Sequence, residues 1–373
     1  MEQLRAGSSP SCPYARGITT IELLISIAIS LLILSALTYI YLGSRGAYQT
    51  NEGAARVQEA GRFALDWLSR DLRMASHLGP GSRQPLDELK VIARPALLAL
   101  DGASPFSGPD QMVTGYEDGA GWTTGVTNFT SKTRVAGDVL WIRGATGVAQ
   151  EIATITDVDG SRICVFNKNF APKKNEMAMV ATFDRLIVFR VTNDPTIASS
   201  LCTQGGANGA WIEHKNGTAA EPGNGVVGDP ETAKIRPAFE ASTRAVVQRM
   251  QNVQYFISSN PAGRPSLYRW DGGAAEELVE NVEDMDVAYG EDTNNDGAPD
   301  SYVAASAVTN WGRVVNVRVS LLVVSPEAGT TNAAQRLFFR DTNGDGLPDE
   351  QTAPDNRLRQ VFTTTVALRN RLL

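Results

Sequence analysis

The chain has 373 residues, 42% hydrophobic and 20% charged, with a formal net charge of -7. That length and apolar content suit one large domain or two modest ones and argue against bulk disorder. The acidic balance, with no long Lys/Arg run, excludes nucleic acid as an expected partner. With two histidines in the whole chain, His77 and His214, little supports His-based catalysis or metal binding.

In chain order, a short leader, residues 1–17, carries Arg5 and Arg16 against Glu2. Residues 18–42 then read ITTIELLISIAISLLILSALTYIYL, with one charge, Glu22. At helical rise this spans roughly 37 Å, enough to cross a bilayer core with some tilt. Positive charge on the short side keeps that side cytoplasmic and predicts export of the rest. A secretory signal peptide is the wrong reading: the run is too long, and no small-x-small site follows it. A plain single-pass anchor explains the length but not Glu22, because a carboxylate near the start of a spanning helix is costly without a partner.

The helix is expected to continue through residues 43–79 as an amphipathic segment. No proline interrupts it. Val57, Ala60, Ala64, Leu68, Leu72 and Ala75 recur at helical spacing, and Arg62, Asp66 and Arg70 stack at i, i+4 on another face. Gly43, Gly46, Gly53 and Gly61 weaken it in isolation and permit bending. His77-Leu78-Gly79-Pro80 is a stop signal. The apolar stripe reads as core packing rather than a partner groove.

Residues 80–373 are predicted to be β-rich, with β-branched runs between Gly, Pro, Asn and Asp clusters. The expected strands are Val139–Arg143, Glu151–Thr156, Ile163–Phe166, Met177–Ala181, Leu186–Val191, Val253–Ser258, Ser266–Trp270, Val282–Tyr289, Val314–Val324 and Val361–Leu368. The segment 195–245, rich in Gly, Ala, Asn and Thr, reads as a long loop or insertion.

The stretch Arg16-Gly17-Ile18-Thr19-Thr20-Ile21-Glu22-Leu23-Leu24 resembles the type IV prepilin N-terminus. The resemblance implies cleavage after Gly17 by a prepilin peptidase, N-methylation of Ile18, and Glu22 as the fifth residue of the mature chain. Ile18 replaces the family's usual Phe, and Thr20 stands where an apolar residue is usual. A buried charge needs an opposite one, so Glu22 is expected to pair with the Ile18 amine of a neighbouring subunit during fibre assembly.

Farther on come Ser266-Leu267-Tyr268-Arg269, then Leu278 to Gly290, Val317 to Val323, and the ending Arg359 to Asn370. Their order is similar to the PilW family of minor type IV pilins, itself related to minor pseudopilin J of type II secretion. The resemblance covers the N-terminal helix and roughly residues 250–373. It implies an α+β, pilin-like fold: a long N-terminal helix, membrane-spanning and then amphipathic, packed on a β-rich head. It also implies a bacterial inner-membrane protein with its C-terminal domain in the periplasm, extracellular once in a pilus. The implied partners are the prepilin peptidase, other minor pilins, the major pilin, the inner-membrane assembly platform and the lipid bilayer.

Two loops share the pattern D-x-N-x-D-G-x-P-D. One holds Asp292, Asn294, Asp296 and Asp300; the other holds Asp341, Asn343, Asp345 and Asp349. Oxygen side chains at positions 1, 3, 5 and 9 with Gly at 6 match most of a calcium loop, and hard oxygen donors favour Ca²⁺ over zinc or copper. The Glu expected at position 12 is missing: Val303 and Thr352 stand there. The competing reading is a solvated turn between strands. A bound calcium would be structural.

Cys12 lies in the leader. Cys164 and Cys202 remain as a pair, read as a disulfide in an oxidising compartment, against the alternative of two free thiols. No nucleophile elbow, zinc-protease motif, phosphate loop or dinucleotide fingerprint occurs, so no enzyme is expected. Three functions fit: a minor pilin that primes or caps pilus assembly, with twitching motility as its readout; a type II secretion pseudopilin; or a membrane-anchored, calcium-stabilised module for cell adhesion.

Overall fold

The computed structural model describes residues 18–79, 88–91, 111–120, 122, 134–156, 162–182, 185–216, 224, 235, 244–271, 275–328, 331, 333–341 and 347–371. The leader, with Cys12 and Gly17, lies outside the described residues, as do Asn343 and Asp345. The chain divides into two compact units, Met1–Glu52 and Gly53–Leu373. One helix, α1 (Thr20–Met74), begins in the first and ends in the second.

In the first unit residues 18–51 are all exposed, and the helix is long and apolar enough to cross a membrane. Several of its hydroxyls bond back to the helix. Ser30 Oγ donates to the Ser26 carbonyl at 2.7 Å, Ser35 Oγ to Leu32 at 2.8 Å, and Thr38 Oγ1 to Leu34 at 2.8 Å. These three hydroxyls are thereby satisfied within the helix, as a lipid environment favours.

In the second unit α1 buries Gly53, Val57, Gly61, Ala64, Leu68, Ser69, Asp71 and Leu72. The expected stripe is core, with Ala60 partly buried at its edge. Gly61 has a packing reason that the sequence did not show: a Cβ there would run into the Phe362 ring. The helix ends earlier than the stop signal suggested. Ser76 turns left-handed at φ 61°, and its N–H leaves the helix for the Arg143 carbonyl at 3.1 Å.

The β-rich part comprises β1 (Glu88–Val91), β2 (Val113–Tyr116), β3 (Arg134–Thr156), β4 (Arg162–Val165), β5 (Met177–Ala181), β6 (Arg185–Arg190), β7 (Ala210–Glu213), β8 (Val246–Ser259), β9 (Pro265–Trp270), β10 (Glu276–Glu280), β11 (Val282–Glu291), β12 (Ser301–Val303), β13 (Val314–Val324), β14 (Arg336–Phe339), β15 (Asp349–Thr352) and β16 (Arg359–Ala367). The large sheet runs β1-β6-β5-β8-β3-β4-β7, with β2 on β3 and the β9–β10 hairpin on β8; a second sheet runs β12-β11-β13-β16, and β14–β15 form a separate hairpin. The α+β class expected from the sequence is the one observed: a long apolar helix, then a β-rich region. One core joins the helix stripe to Val253, Tyr255 and Ile257 of β8, Val287 and Tyr289 of β11, and Val319 and Leu321 of β13.

Two expectations need correction. The expected strands Val139–Arg143 and Glu151–Thr156 are two ends of the single long β3, because register shifts against β8 let one strand bend through the Gly-containing stretch without breaking. Inside the expected loop 195–245, β7 pairs with β4 over four residues, and His214 just after it is fully buried, edge-on to Phe189.

Asp71 is a buried carboxylate on the core face of the helix. The Tyr255 hydroxyl donates to its Oδ2 at 2.6 Å and Arg269 Nε at 3.3 Å. Burial, reinforced by the adjacent carboxylate, pushes the Tyr255 phenol well above its ordinary range. A second polar knot joins the two sheets. Arg340 makes a bidentate pair with Asp284 (3.1 and 2.8 Å) and reaches Asp118 at 2.7 Å. Asp138 accepts the Asp118 N–H at 2.9 Å and the Val287 N–H at 2.8 Å. Burial raises the Asp138 carboxyl to about 7, against the opposing pull of the Asp118 N–H and Arg340.

Two predictions follow from these knots. Tyr255→Phe should cost about 1.5–3 kcal/mol, since it deletes a bond to a charged acceptor. Asp71→Ala should cost more, about 3 kcal/mol or above, because it strands two buried donors. Denaturant melts of the full chain in detergent, followed by Trp fluorescence, measure both, and an unchanged midpoint for Asp71→Ala removes the knot from the account. For Asp138 the folded state holds the proton more tightly than the unfolded chain. Its stabilising contribution is therefore full below about pH 4 and is lost as pH rises through about 7. Asp138→Asn should flatten the stability profile over that window, and melts at pH 5 and pH 8 test it.

Candidate functional site

The helix start is the first candidate. Thr19 is the residue before α1, and its Oγ1 accepts the Glu22 N–H at 3.3 Å. Glu22 Oε2 in turn accepts the Thr19 N–H at 3.0 Å and its hydroxyl at 2.9 Å. This reciprocal pair is a capping box, which satisfies helix donors that otherwise have no partner. The sequence carries its signal, Thr19-Thr20-Ile21-Glu22, with Thr and Glu three apart, but the reading of Glu22 as an assembly charge passed over it. Ile18 precedes the cap and is exposed.

The C-terminal region is built on β11, β13 and β16. β13 pairs with β16 over nine consecutive residues and with β11 on its other side. The buried Arg359 fixes the strand ends, pairing through Nε and Nη2 with Glu283 at 2.6 and 3.0 Å and through Nη1 with Asp355 at 2.5 Å. Residues 254–370, which contain this sheet and the β9–β10 hairpin, match the family model described as Type IV Pilus-assembly protein W, PilW.

The chain is thus similar to PilW over that region, about a third of its length. Among solved structures, the type IV-like pilin TTHA1219 from Thermus thermophilus is similar at 19% identity, over 33% of this chain and 67% of that one, with a TM-score of 0.23. No curated protein matches.

The first Asp loop lies inside the PilW region and connects β11 to β12. Asp292 is buried and accepts the Asp296 N–H at 3.2 Å and the Gly297 N–H at 2.8 Å. Asn294 Oδ1 accepts the Asp296 N–H at 2.9 Å, and Asp296 Oδ1 accepts the Ala298 N–H at 2.8 Å. Asn294 Nδ2 donates to Asp296 at 3.2 Å and to Asp300 at 3.0 Å. The Thr293 hydroxyl and N–H, at 2.6 and 2.7 Å, hold the Asp300 carboxyl below its usual range. Gly297 takes φ 85°, a conformation that requires no Cβ. All four oxygen-bearing side chains thus converge, but as a hydrogen-bonded turn. Among the described residues no three His, Cys, Asp or Glu side chains stand close enough to share a metal ion. A cation at this loop would require Asn294 to turn its amide oxygen inward.

The second loop falls between β14 and β15 in the sequence, and residues 342–346 lie outside the described residues. Asp341 and Asp349 flank it, and the Asp349 N–H bonds to the Arg340 carbonyl at 2.7 Å.

Outside the PilW region, Cys164 of β4 and Cys202 are joined by a disulfide, with Cα atoms 6.1 Å apart and a sequence separation of 38. Both are buried. Closing a loop of that length removes about 3–4 kcal/mol of unfolded-chain freedom. The bridge anchors the turn 203–208 against β4, where Gly205 lies close under the Val165 carbonyl.

Proposed function

We propose that this protein is a minor type IV pilin, cut after Gly17, methylated at Ile18, and incorporated with other minor pilins to initiate pilus assembly at the fibre tip. One combination supports the reading: an exposed apolar helix bearing Glu22 four residues after Ile18, in the same chain as the PilW match over residues 254–370. The implied partners are the prepilin peptidase, the major pilin and the assembly platform. The implied location is the inner membrane, with the β-rich region in the periplasm, and the implied cellular readouts are twitching motility and adhesion.

The capping box sharpens the role of Glu22. In the single chain its carboxylate completes the helix start. In a fibre the same carboxylate would receive the amine of a neighbouring subunit's Ile18. Glu22→Gln separates these roles, because Gln serves a capping box as well as Glu does but carries no charge. In cells, Glu22→Gln should leave membrane insertion and protein level unchanged yet abolish incorporation into pili, and Glu22→Ala should do the same. Mass spectrometry of the same material should show a chain beginning at methylated Ile18. Full piliation with Glu22→Gln would sink the charge-pairing role; a chain still beginning at Met1 in the presence of the peptidase would sink the prepilin reading.

For the Asp loops we propose a structural calcium, held in the first by Asp292, Asn294, Asp296 and Asp300 and in the second by Asp341, Asn343, Asp345 and Asp349. The donor set and the glycine at the sixth position support it. Calcium at about 100 times its dissociation constant should add about 2.7 kcal/mol to stability. Chelation should lower the melting temperature, and Asp296→Ala with Asp345→Ala should remove that sensitivity. An unchanged melting temperature leaves the hydrogen-bonded turn as the whole role of these loops.

A further inference from the structure

A cavity of about 680 Å³ lies over the outward face of the β11–β13–β16 sheet, walled by the β14–β15 hairpin on one side and by Tyr302 and Ser306 on the other. Its floor is polar. Asp286 comes from β11, Arg318 and Ser320 from β13, and Thr363 from β16. That volume falls in the range of small-molecule sites.

The lining excludes most ligand classes. Five carboxylates, those of Glu117, Asp118, Asp138, Asp286 and Asp341, face the space, so a phosphate or other anion would be repelled. An apolar ligand would strand the polar floor without hydrogen bonds. A bare divalent cation meets two guanidiniums, Arg318 and Arg340, among the carboxylates.

Most of the charge is already committed. Asp118 is bound to Arg340 at 2.7 Å, Asp138 to two backbone N–H groups, and Glu117 to the Ser306 hydroxyl. Asp286 and Arg318 differ. Both are half-buried. Among the described residues Asp286 has no hydrogen-bond partner. Arg318 has no carboxylate within ion-pair distance and lies over the Tyr302 ring at 4.8 Å. Burial, with the Asp284 and Asp341 carboxylates nearby, holds the Asp286 carboxyl above its usual range against the opposing pull of the two guanidiniums. Beside them, Ser320 and Thr363 form a hydroxyl pair at 3.0 Å, and Phe338 stands 64% exposed at the rim.

An uncommitted acceptor, an uncommitted planar donor, two hydroxyls and an exposed aromatic ring suit a neutral ligand that carries many hydroxyls on a compact ring. We propose that this cavity binds a saccharide, with Asp286 accepting from sugar hydroxyls, Arg318 donating to ring or hydroxyl oxygens, and Phe338 covering an apolar sugar face.

The test uses the full chain in a sugar-free detergent, because maltoside detergents would occupy the site. Saturation-transfer NMR is run with a panel of neutral hexoses, N-acetylhexosamines and their disaccharides. At least one should show transfer, and Asp286→Ala and Arg318→Gln should each weaken it about tenfold or more, as expected for bonds to charged groups. Phe338→Ala should weaken it as well. Arg336→Gln, on the same hairpin but outside the lining, should leave binding unchanged, and melting curves must show that every variant is folded. No transfer from any sugar overturns the proposal. So does sugar binding indifferent to both Asp286→Ala and Arg318→Gln in folded protein, or a lysine-rich peptide that binds in the cavity where no sugar does.

Discussion

Asp71 brings a full carboxylate into an apolar core, and the second unit is arranged so that this is tolerable. The charge is met from β8 by Tyr255 and from β9 by Arg269. A helix seated by apolar contacts alone has many near-equivalent rotations, since Leu and Ala side chains pack in several ways. A buried carboxylate with fixed donors has one. Rotating or sliding the helix by a residue would leave Asp71 and Tyr255 without partners and cost Arg269 one of its two carboxylates, a far larger cost than repacking methyl groups. The same residues that hold the helix therefore set its register on the sheet.

The second constraint is the union of the two sheets. Arg340 follows β14, Asp284 lies on β11, and Asp118 and Asp138 belong to the β2–β3 part of the large sheet. One guanidinium thus ties three sheets together. Asp138 accepts from both Asp118 and Val287, so the junction does not depend on the arginine alone. The junction also forms one wall of the cavity over the second sheet. A rigid wall is what a binding site needs, and the bidentate pair with Asp284 holds the arginine that supplies it in one orientation.

In the proposed fibre Glu22 would serve a second state by the chemistry it already shows at the helix start. Its carboxylate accepts backbone and hydroxyl donors at the helix start, and an ammonium group is simply a stronger donor of the same kind. The proposed exchange from cap to partner would require no rearrangement of the helix, only a side-chain turn at an exposed position. That economy holds because the capping partner, Thr19, adjoins the residue whose amine cleavage would create.

The sequence by itself determined the elements whose signals are local. The apolar run of residues 18–42, the stripe Val57 to Ala75, and the alternation in Val282–Tyr289 and Val314–Val324 each encode their structure in side-chain period, and each appears as helix or strand. The similarity of residues 254–370 to PilW was also legible, because it resides in ordered strand sequences. The α+β class followed from the same signals. Tertiary structure decided what depends on distant partners. Nothing near Gly61 announces Phe362, nothing near Asp71 announces Tyr255, and His214 looks like a loop residue until β7 carries it inside. Asp286 and Arg318 are 32 positions apart, and only the β11–β13 register brings them to one face. Local period reports which way a side chain points; which group it meets there is fixed by the pairing of strands far apart in the chain.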